Sequence, residues 1–248
     1  MISSGTALVV GASRGIGLAI TKQLLQDRDI QRIYATYRQT GTAAGLLGID
    51  DPRLHTISAD ITIPADLQGL ATNIEANGDY PDFVINSSGI LHEHDLLPEK
   101  SLSQCAQESL MRLFLVNSIG PLMLARTVIP LMPRNQPAHF AVLSAMVGSI
   151  GDNRLGGWYG YRASKAALNQ FMRTLAVECY RSHPQLCITA IHPGTTDTSL
   201  SQPFQGNVKP GKLYTPAQSA GRILHVVKSG KAEQSGRFVN WDGKPIPW

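Results

Sequence analysis

Apolar positions follow two alternating rhythms along this chain. Short β-rich runs at Ala7–Val10, Arg32–Thr36, Leu54–Ser58, Phe83–Asn86, His139–Leu143, Cys187–Ile191 and Arg237–Asn240 predict seven strands. Between them, apolar residues at i, i+3, i+4 spacing predict helices near Gly15–Gln26, Ala65–Asn77, Ser103–Met132, Tyr161–Arg181 and Pro216–Lys228. Strand alternating with helix implies a parallel sheet covered on both faces, since the crossover between parallel strands lays its helix on the sheet. The expected fold class is therefore α/β, doubly wound, with a seven-stranded parallel sheet. No repeat, low-complexity tract or linker-like shift interrupts it, so residues 1–248 read as a single domain. One long segment, Thr195–Thr215, follows neither rhythm, and a loop of that length in a compact fold reads as a functional lid.

Composition narrows the class. The chain has 248 residues, 43% hydrophobic and 16% charged, which is globular. Its 22 Lys and Arg exceed 18 Asp and Glu by four, but the basic residues are scattered. They read as solvated surface, and no nucleic-acid partner is expected. The three cysteines, Cys105, Cys179 and Cys187, cannot all pair and lack zinc-ligand spacing. They read as reduced thiols, which favours a cytoplasmic setting and no metal. The apolar start Thr6–Val10 falls far short of the ~20 residues that span a membrane, and no membrane partner is expected.

Candidate chemistry begins after the first strand, at Gly11-Ala12-Ser13-Arg14-Gly15-Ile16-Gly17. Glycines there permit a tight turn and close backbone approach, while the helix N-terminus beyond them attracts a pyrophosphate. From this turn onward the sequence resembles the short-chain dehydrogenase/reductase family, over nearly the whole chain. Asp60, with Ile61 beside it, matches the family's adenine-contacting position after the third strand. Asn86-Ser87-Ser88-Gly89 is similar to its N-N-A-G element, the two serines being departures. Pro193-Gly194-Thr195-Thr196-Asp197-Thr198 resembles the P-G-x-x-x-T segment, which implies nicotinamide and pyrophosphate contacts from Pro193, Gly194, Thr196 and Thr198. The resemblance implies a Rossmann-type fold with bound NAD or NADP. Tyr37 stands where an NAD-preferring member would have a carboxylate for the ribose 2′-hydroxyl, and Arg14 and Arg38 suit a 2′-phosphate. NADPH is therefore expected to be preferred over NADH.

Tyr161-Arg-Ala-Ser-Lys165 puts a phenol and an ammonium at i and i+4, on one helix face. A tyrosine of ordinary pKa ≈ 10 exchanges protons poorly near neutrality, and an adjacent cation lowers it toward the working range. The resemblance makes Tyr161 the general acid/base and Lys165 its tuner and ribose ligand. It makes Ser144 the residue that orients the substrate oxygen, and Asn117 a fourth catalytic residue holding a water that connects the lysine to solvent.

The interval from Ser144 to Tyr161 is 161 − 144 = 17 positions, where the family commonly has about 13. Together with the ending Asn240–Trp248, the added stretch resembles the C-factor-like branch. Ala145–Gly160 is expected to arch over the catalytic groups, with Trp158 and Tyr159, and Phe204 from the lid, contacting substrate. Two other constellations are rejected. Ser144, His192 and Asp197 lack the G-x-S-x-G elbow of a hydrolase, and the His92–Asp95 run lacks a third ligand at metal spacing. The reading is an NADP-dependent oxidoreductase moving hydride to or from a small carbonyl or alcohol, and the resemblance implies a homodimer or homotetramer built through the helices of Asn117 and Tyr161. The alternative is an NADP(H)-binding sensor or signalling protein without turnover.

Overall fold

The computed structural model describes residues 5–248, apart from the side chain of Asn207. Its strands are β1 (Gly5–Val10), β2 (Ile30–Tyr37), β3 (Leu54–Ser58), β4 (Phe83–Asn86), β5 (Ala138–Leu143), β6 (Leu186–His192), the two-residue β7 (Thr195–Thr196) and β8 (Leu213–Tyr214), and β9 (Arg237–Asn240). Seven of them build one sheet in the order β3-β2-β1-β4-β5-β6-β9, every pairing parallel. The central strands β4 and β5 are buried at every residue, which explains their unbroken apolar runs. The chain reverses direction across the sheet between β1 and β4, and the crevice beyond the carboxyl ends of those strands is where such sheets bind ligands.

Alternate residues of each strand serve opposite layers. Leu8, Val10, Val84, Phe140 and Val142 pack with α3 (Pro64–Ala76), α5 (Gly120–Val128) and α6 (Tyr159–Ser182). Ala7, Val9, Phe83, Ile85 and Ala141 pack with α1 (Gly15–Gln26) and α7 (Pro216–Lys228) on the other face. Helix α1 buries Gly17, Ile20, Thr21 and Leu24, the i, i+3, i+4, i+7 stripe expected of an amphipathic helix. Helix α7 starts at a capping box in which the Thr215 hydroxyl accepts from the Gln218 amide and the Gln218 side chain accepts from the Thr215 amide.

Two elements differ from the sequence reading. The helix expected over Ser103–Met132 begins later, as α4 (Gln107–Phe114), and passes through a π turn at Leu115–Ile119 before α5. The stretch Gln107–Leu131 is long and apolar enough to cross a membrane, but 56% of its most apolar window is buried in the fold, and that burial accounts for its composition. The segment Thr195–Thr215 is also less irregular than expected. β7 pairs with β8, and a 3-10 turn covers Gln202–Asn207 between them, because Pro203 and the hydroxyl of Ser201 favour a tight local turn over an open loop.

Burial sets how stability answers to acid. His139 and His192 are both pushed down to about 4 by desolvation, so between pH 6.5 and 4 the unfolded chain takes up protons that the folded chain refuses, and stability falls. Asp82 is pushed up to about 6 by burial and acts oppositely, adding stability as pH falls through 6 toward its unfolded value near 3.8. Asp82→Asn should therefore steepen the acid loss between pH 6 and 4, read from urea midpoints against pH. Profiles that coincide over that window would contradict the assignment.

Candidate active site

A groove of about 540 Å³ runs along the carboxyl edge of the sheet, from Arg38 and Thr42 at one end to Ser144, Tyr161 and Lys165 at the other. Its floor is the turn between β1 and α1. Gly11 has φ +79, and a Cβ there would stand 2.9 Å from the Ser88 amide nitrogen. A Cβ on Gly17 would meet the Gly11 carbonyl oxygen at 2.2 Å and the Ser87 hydroxyl at 2.4 Å. Sequence alone marked these glycines. The structure adds that Ser87, a departure from the family pattern, braces the turn by donating to the carbonyls of Val10 (2.8 Å) and Gly11 (3.1 Å). The first turn of α1 has neither a side-chain cap nor an acidic residue, so its backbone N–H groups and dipole are left for an anion. This uncapped, glycine-lined cradle fits a dinucleotide pyrophosphate.

Of the other residues expected at the cofactor, Ser13, Arg14, Gly15, Ile16, Tyr37, Arg38, Asp60, Ile61, Ser87, Ser88, Gly89, Pro193 and Thr198 line the groove. Asn86, Gly194 and Thr196 stand behind that lining. The Asn86 side-chain oxygen accepts from the Ser88 amide at 3.0 Å and so shapes the strand end. The Thr196 hydroxyl is tied to that of Ser219 at 2.7 Å. Gly194, at φ +79, passes close to the rings of Tyr214 and Trp241, between which the Arg222 guanidinium lies 3.9 Å from each ring centre. Those cation–π contacts brace the two ends of the Thr195–Thr215 segment, and nothing in the local sequence signals them.

At the inner end, α6 carries Tyr161, Lys165 and Asn169 at i, i+4 and i+8, all on its buried face. The Lys165 ammonium donates to the Leu143 carbonyl at 2.8 Å, which fixes it beneath the end of β5. Its Nζ lies 5.9 Å from the Tyr161 ring centre. Desolvation lowers Lys165 to about 8 and pushes Tyr161 upward. The expected lowering of the phenol by its lysine is thus outweighed by burial in the protein alone. Ser144 donates to the Asn169 side-chain oxygen at 2.7 Å, with Asn169 anchored in turn to the Gly148 carbonyl at 3.4 Å. Asn169 was missed in the sequence; its place four residues after Lys165 was the signal that could have found it.

Asn117 sits in the π turn, fully buried, and its side chain is committed. It accepts from the Ile90 amide (2.8 Å) and donates to the Ile90 carbonyl (2.9 Å) and the Ser164 hydroxyl (3.1 Å). A Cβ on Gly89 would touch both Asn117 Oδ1 and Lys165 Nζ, so the two groups flank that glycine.

The added stretch after Ser144 does not arch over the groove. Gly151–Gly156 are exposed, and the Gly151 amide donates to the Trp248 carbonyl at 2.8 Å, drawing the segment toward the chain end. Only its ends return: Ala145, Val147 and Trp158 join an apolar cluster with Leu91, Leu96, Tyr161 and Phe204. The Trp158 ring stands edge-on to Phe204 at 5.1 Å and to Tyr161 at 6.2 Å. Tyr159, by contrast, is exposed at the start of α6, because the chain reaches that helix through the left-handed run Gly156, Gly157 and Trp158 (φ 66, 64 and 52), which turns the Trp158 side chain inward and its neighbour outward. Glu99, only 2% exposed, holds this entry by accepting from the Gly160 amide and, through its own carbonyl, from the Trp158 amide. Among the described residues no three His, Cys, Asp or Glu side chains converge as a metal site; Glu93, in the His92–Asp95 run, is ion-paired with arginines instead.

The short chain dehydrogenase family model matches residues 5–209, and the chain belongs to that family as an oxidoreductase. It is 30% identical over 244 residues to 1-hydroxy-2-glutathionyl-2-methyl-3-butene dehydrogenase of Rhodococcus sp. (strain AD45), covering 98% of this chain and 99% of that one. It is 29% identical to the C-signal protein of Myxococcus xanthus over 168 residues, 67% of this chain and 92% of the other, so a C-factor-like relative stands among its homologues. Among solved structures, the NADPH-bound carbonyl reductase from chicken fatty liver superposes with a TM-score of 0.87 at 28% identity, over 99% of this chain and all of that one.

The cradle makes a sharp prediction. Gly17→Ala forces backbone and the Ser87 hydroxyl apart and should cost about 1–3 kcal/mol, as overpacking does. Gly69→Ala, in the interior of α3 with no heavy atom within 4 Å of its Cβ, should instead stabilise by up to ~1 kcal/mol. Urea denaturation of both variants checks the pair, and a neutral Gly17→Ala would contradict the close packing.

Proposed function

We propose that this protein is an NADP-dependent reductase of a small carbonyl compound, running in reverse as an alcohol dehydrogenase. The observation that carries the reading is that Ser144, Tyr161 and Lys165 line the inner end of the same groove whose floor is the uncapped glycine turn. The bound nicotinamide would supply or accept hydride at its C4. Tyr161 presents the phenol that gives the carbonyl oxygen its proton, and burial keeps that phenol protonated and ready to donate. Lys165, fixed by the Leu143 carbonyl, supplies the positive charge that helps the phenol release its proton, and a donor for ribose hydroxyls. Ser144, held by Asn169, orients the substrate oxygen, and Asn117 keeps the wall beside Lys165 rigid.

Preference for NADPH is supported by the absence of a carboxylate at Tyr37, by Arg14 and Arg38 on the groove wall, and by the NADPH-bound carbonyl reductase neighbour. The cluster of Trp158, Phe204 and Leu91 beside Tyr161 supports an apolar or aromatic carbonyl substrate. One sheet running from Gly5 to Asn240 supports a single domain, and three free cysteines are consistent with a cytoplasmic setting. Exposed Met111, Leu115 and Ile119 on the Gln107–Leu131 helix, with Val177 and Tyr180 on α6, suit burial in a homodimer or homotetramer. The name of the C-signal relative keeps a second reading open, an NADP(H)-binding sensor or signalling protein without turnover. The complete Ser144, Tyr161 and Lys165 set favours the enzyme.

NADPH oxidation against a panel of ketones, aldehydes and quinones separates the two, the enzyme reading expecting at least one turned-over carbonyl and the sensor none. With such a substrate, Tyr161→Phe should lose about 10²–10⁴-fold in turnover while still binding NADPH. Lys165→Ala should weaken both. Retention of more than about a tenth of the rate by Tyr161→Phe would point to another proton donor.

A further inference from the structure

The loop after β4 brings a carboxylate to the adenine end of the groove, opposite the wall that carries Arg38. Glu93 lines the groove, and its backbone is pinned by two hydrogen bonds with Leu96, whose side chain is buried. On its outer side Glu93 is gripped by Arg112 of α4, through Nε to Oε2 at 2.9 Å and Nη2 to Oε1 at 3.2 Å. The same Oε1 reaches Arg38 Nη1 at 3.5 Å, in a single contact with a side chain that is 45% exposed. One carboxylate therefore serves two arginines, firmly on the α4 side and loosely on the β2 side.

We propose that Glu93 is a specificity-determining residue that competes with the cofactor 2′-phosphate for Arg38, and so limits how strongly the groove prefers NADPH to NADH. The inference rests on the reading that Arg38 takes that phosphate. A phosphate dianion pairs well with a guanidinium and is repelled by a carboxylate beside it. NADPH must draw Arg38 away from Glu93, whereas NADH carries a hydroxyl at that position and leaves the pair intact. Because the Arg38 contact is long and half exposed, the competition is modest, and an exposed pair of this kind corresponds to about 1.5- to 5-fold in affinity. Arg112 moderates it further by drawing charge from the shared oxygen, and the Glu93 carboxyl is held below its ordinary pKa chiefly by that arginine.

Dissociation constants for NADPH and NADH, measured by calorimetry on the full chain and its variants, test the proposal. Glu93→Gln should tighten NADPH by about 1.5- to 5-fold with NADH unchanged, and the gain should shrink when Arg38→Gln is also present. Arg112→Gln, which leaves Glu93 to Arg38 alone, should lower affinity for NADPH relative to NADH. A Glu93→Gln variant that shifts both dinucleotides equally, weakens NADPH, or gains as much without Arg38 overturns the competition. Should Arg38→Gln leave the NADPH to NADH ratio unchanged, the assignment of the 2′-phosphate to Arg38 fails as well, which separates the two failures.

Discussion

A lysine ammonium buried beneath the end of a central strand is the constraint on which this site depends. Lys165 is 4% exposed, and the hydrogen bond from its ammonium to the Leu143 carbonyl at 2.8 Å binds α6 to the carboxyl edge of β5. A charge in such a place carries a desolvation cost that one carbonyl offsets only in part, which is why its pKa falls to about 8. The neighbours are arranged around it. Gly148 lies against its Cβ, Gly89 leaves room at its Nζ, and Asn117 closes the far side of that glycine. At Gly148 a Cβ would stand 2.9 Å from that of Lys165, so its absence is what lets the long cationic side chain leave the helix at this point.

The same strand end sets the rest of the chemistry. Ser144 follows Leu143 directly and its hydroxyl donates to the side-chain oxygen of Asn169, one helical turn beyond Lys165, so that strand and helix are joined at two successive residues. Tyr161, one turn before Lys165, projects into the groove beside the cluster of Trp158 and Phe204. On the floor of the groove the first turn of α1 is left uncapped. A groove with an anion cradle on its floor and a buried phenol at its inner end suits a nicotinamide dinucleotide, whose pyrophosphate lies between its two nucleosides, and the membership in the short chain dehydrogenase family accords with it.

Much of this was legible in the sequence, because the features that carry it are local. The glycine turn, the Tyr161 to Lys165 spacing and the buried apolar runs each report on a few consecutive residues. What escaped was set by distant packing. Glu99 caps α6 from 61 positions away, Arg222 stacks between Tyr214 and Trp241, and Asn169 acts only because α6 lies against β5. The course of Ala145–Gly160 was misjudged for the same reason, since its outward turn depends on a hydrogen bond to the carbonyl of Trp248. The pKa of Tyr161 turned on a competition of magnitudes, burial against a neighbouring charge, that spacing alone does not rank.

That competition is open to direct measurement. The ultraviolet difference between wild type and Tyr161→Phe, titrated with alkali in the absence of cofactor, reports ionisation of this one phenol. A phenol kept protonated by burial predicts no tyrosinate signal from Tyr161 below about pH 10, the ordinary value for tyrosine. A phenolate appearing near pH 7 in the cofactor-free protein would contradict the account, since the lysine would then outweigh burial.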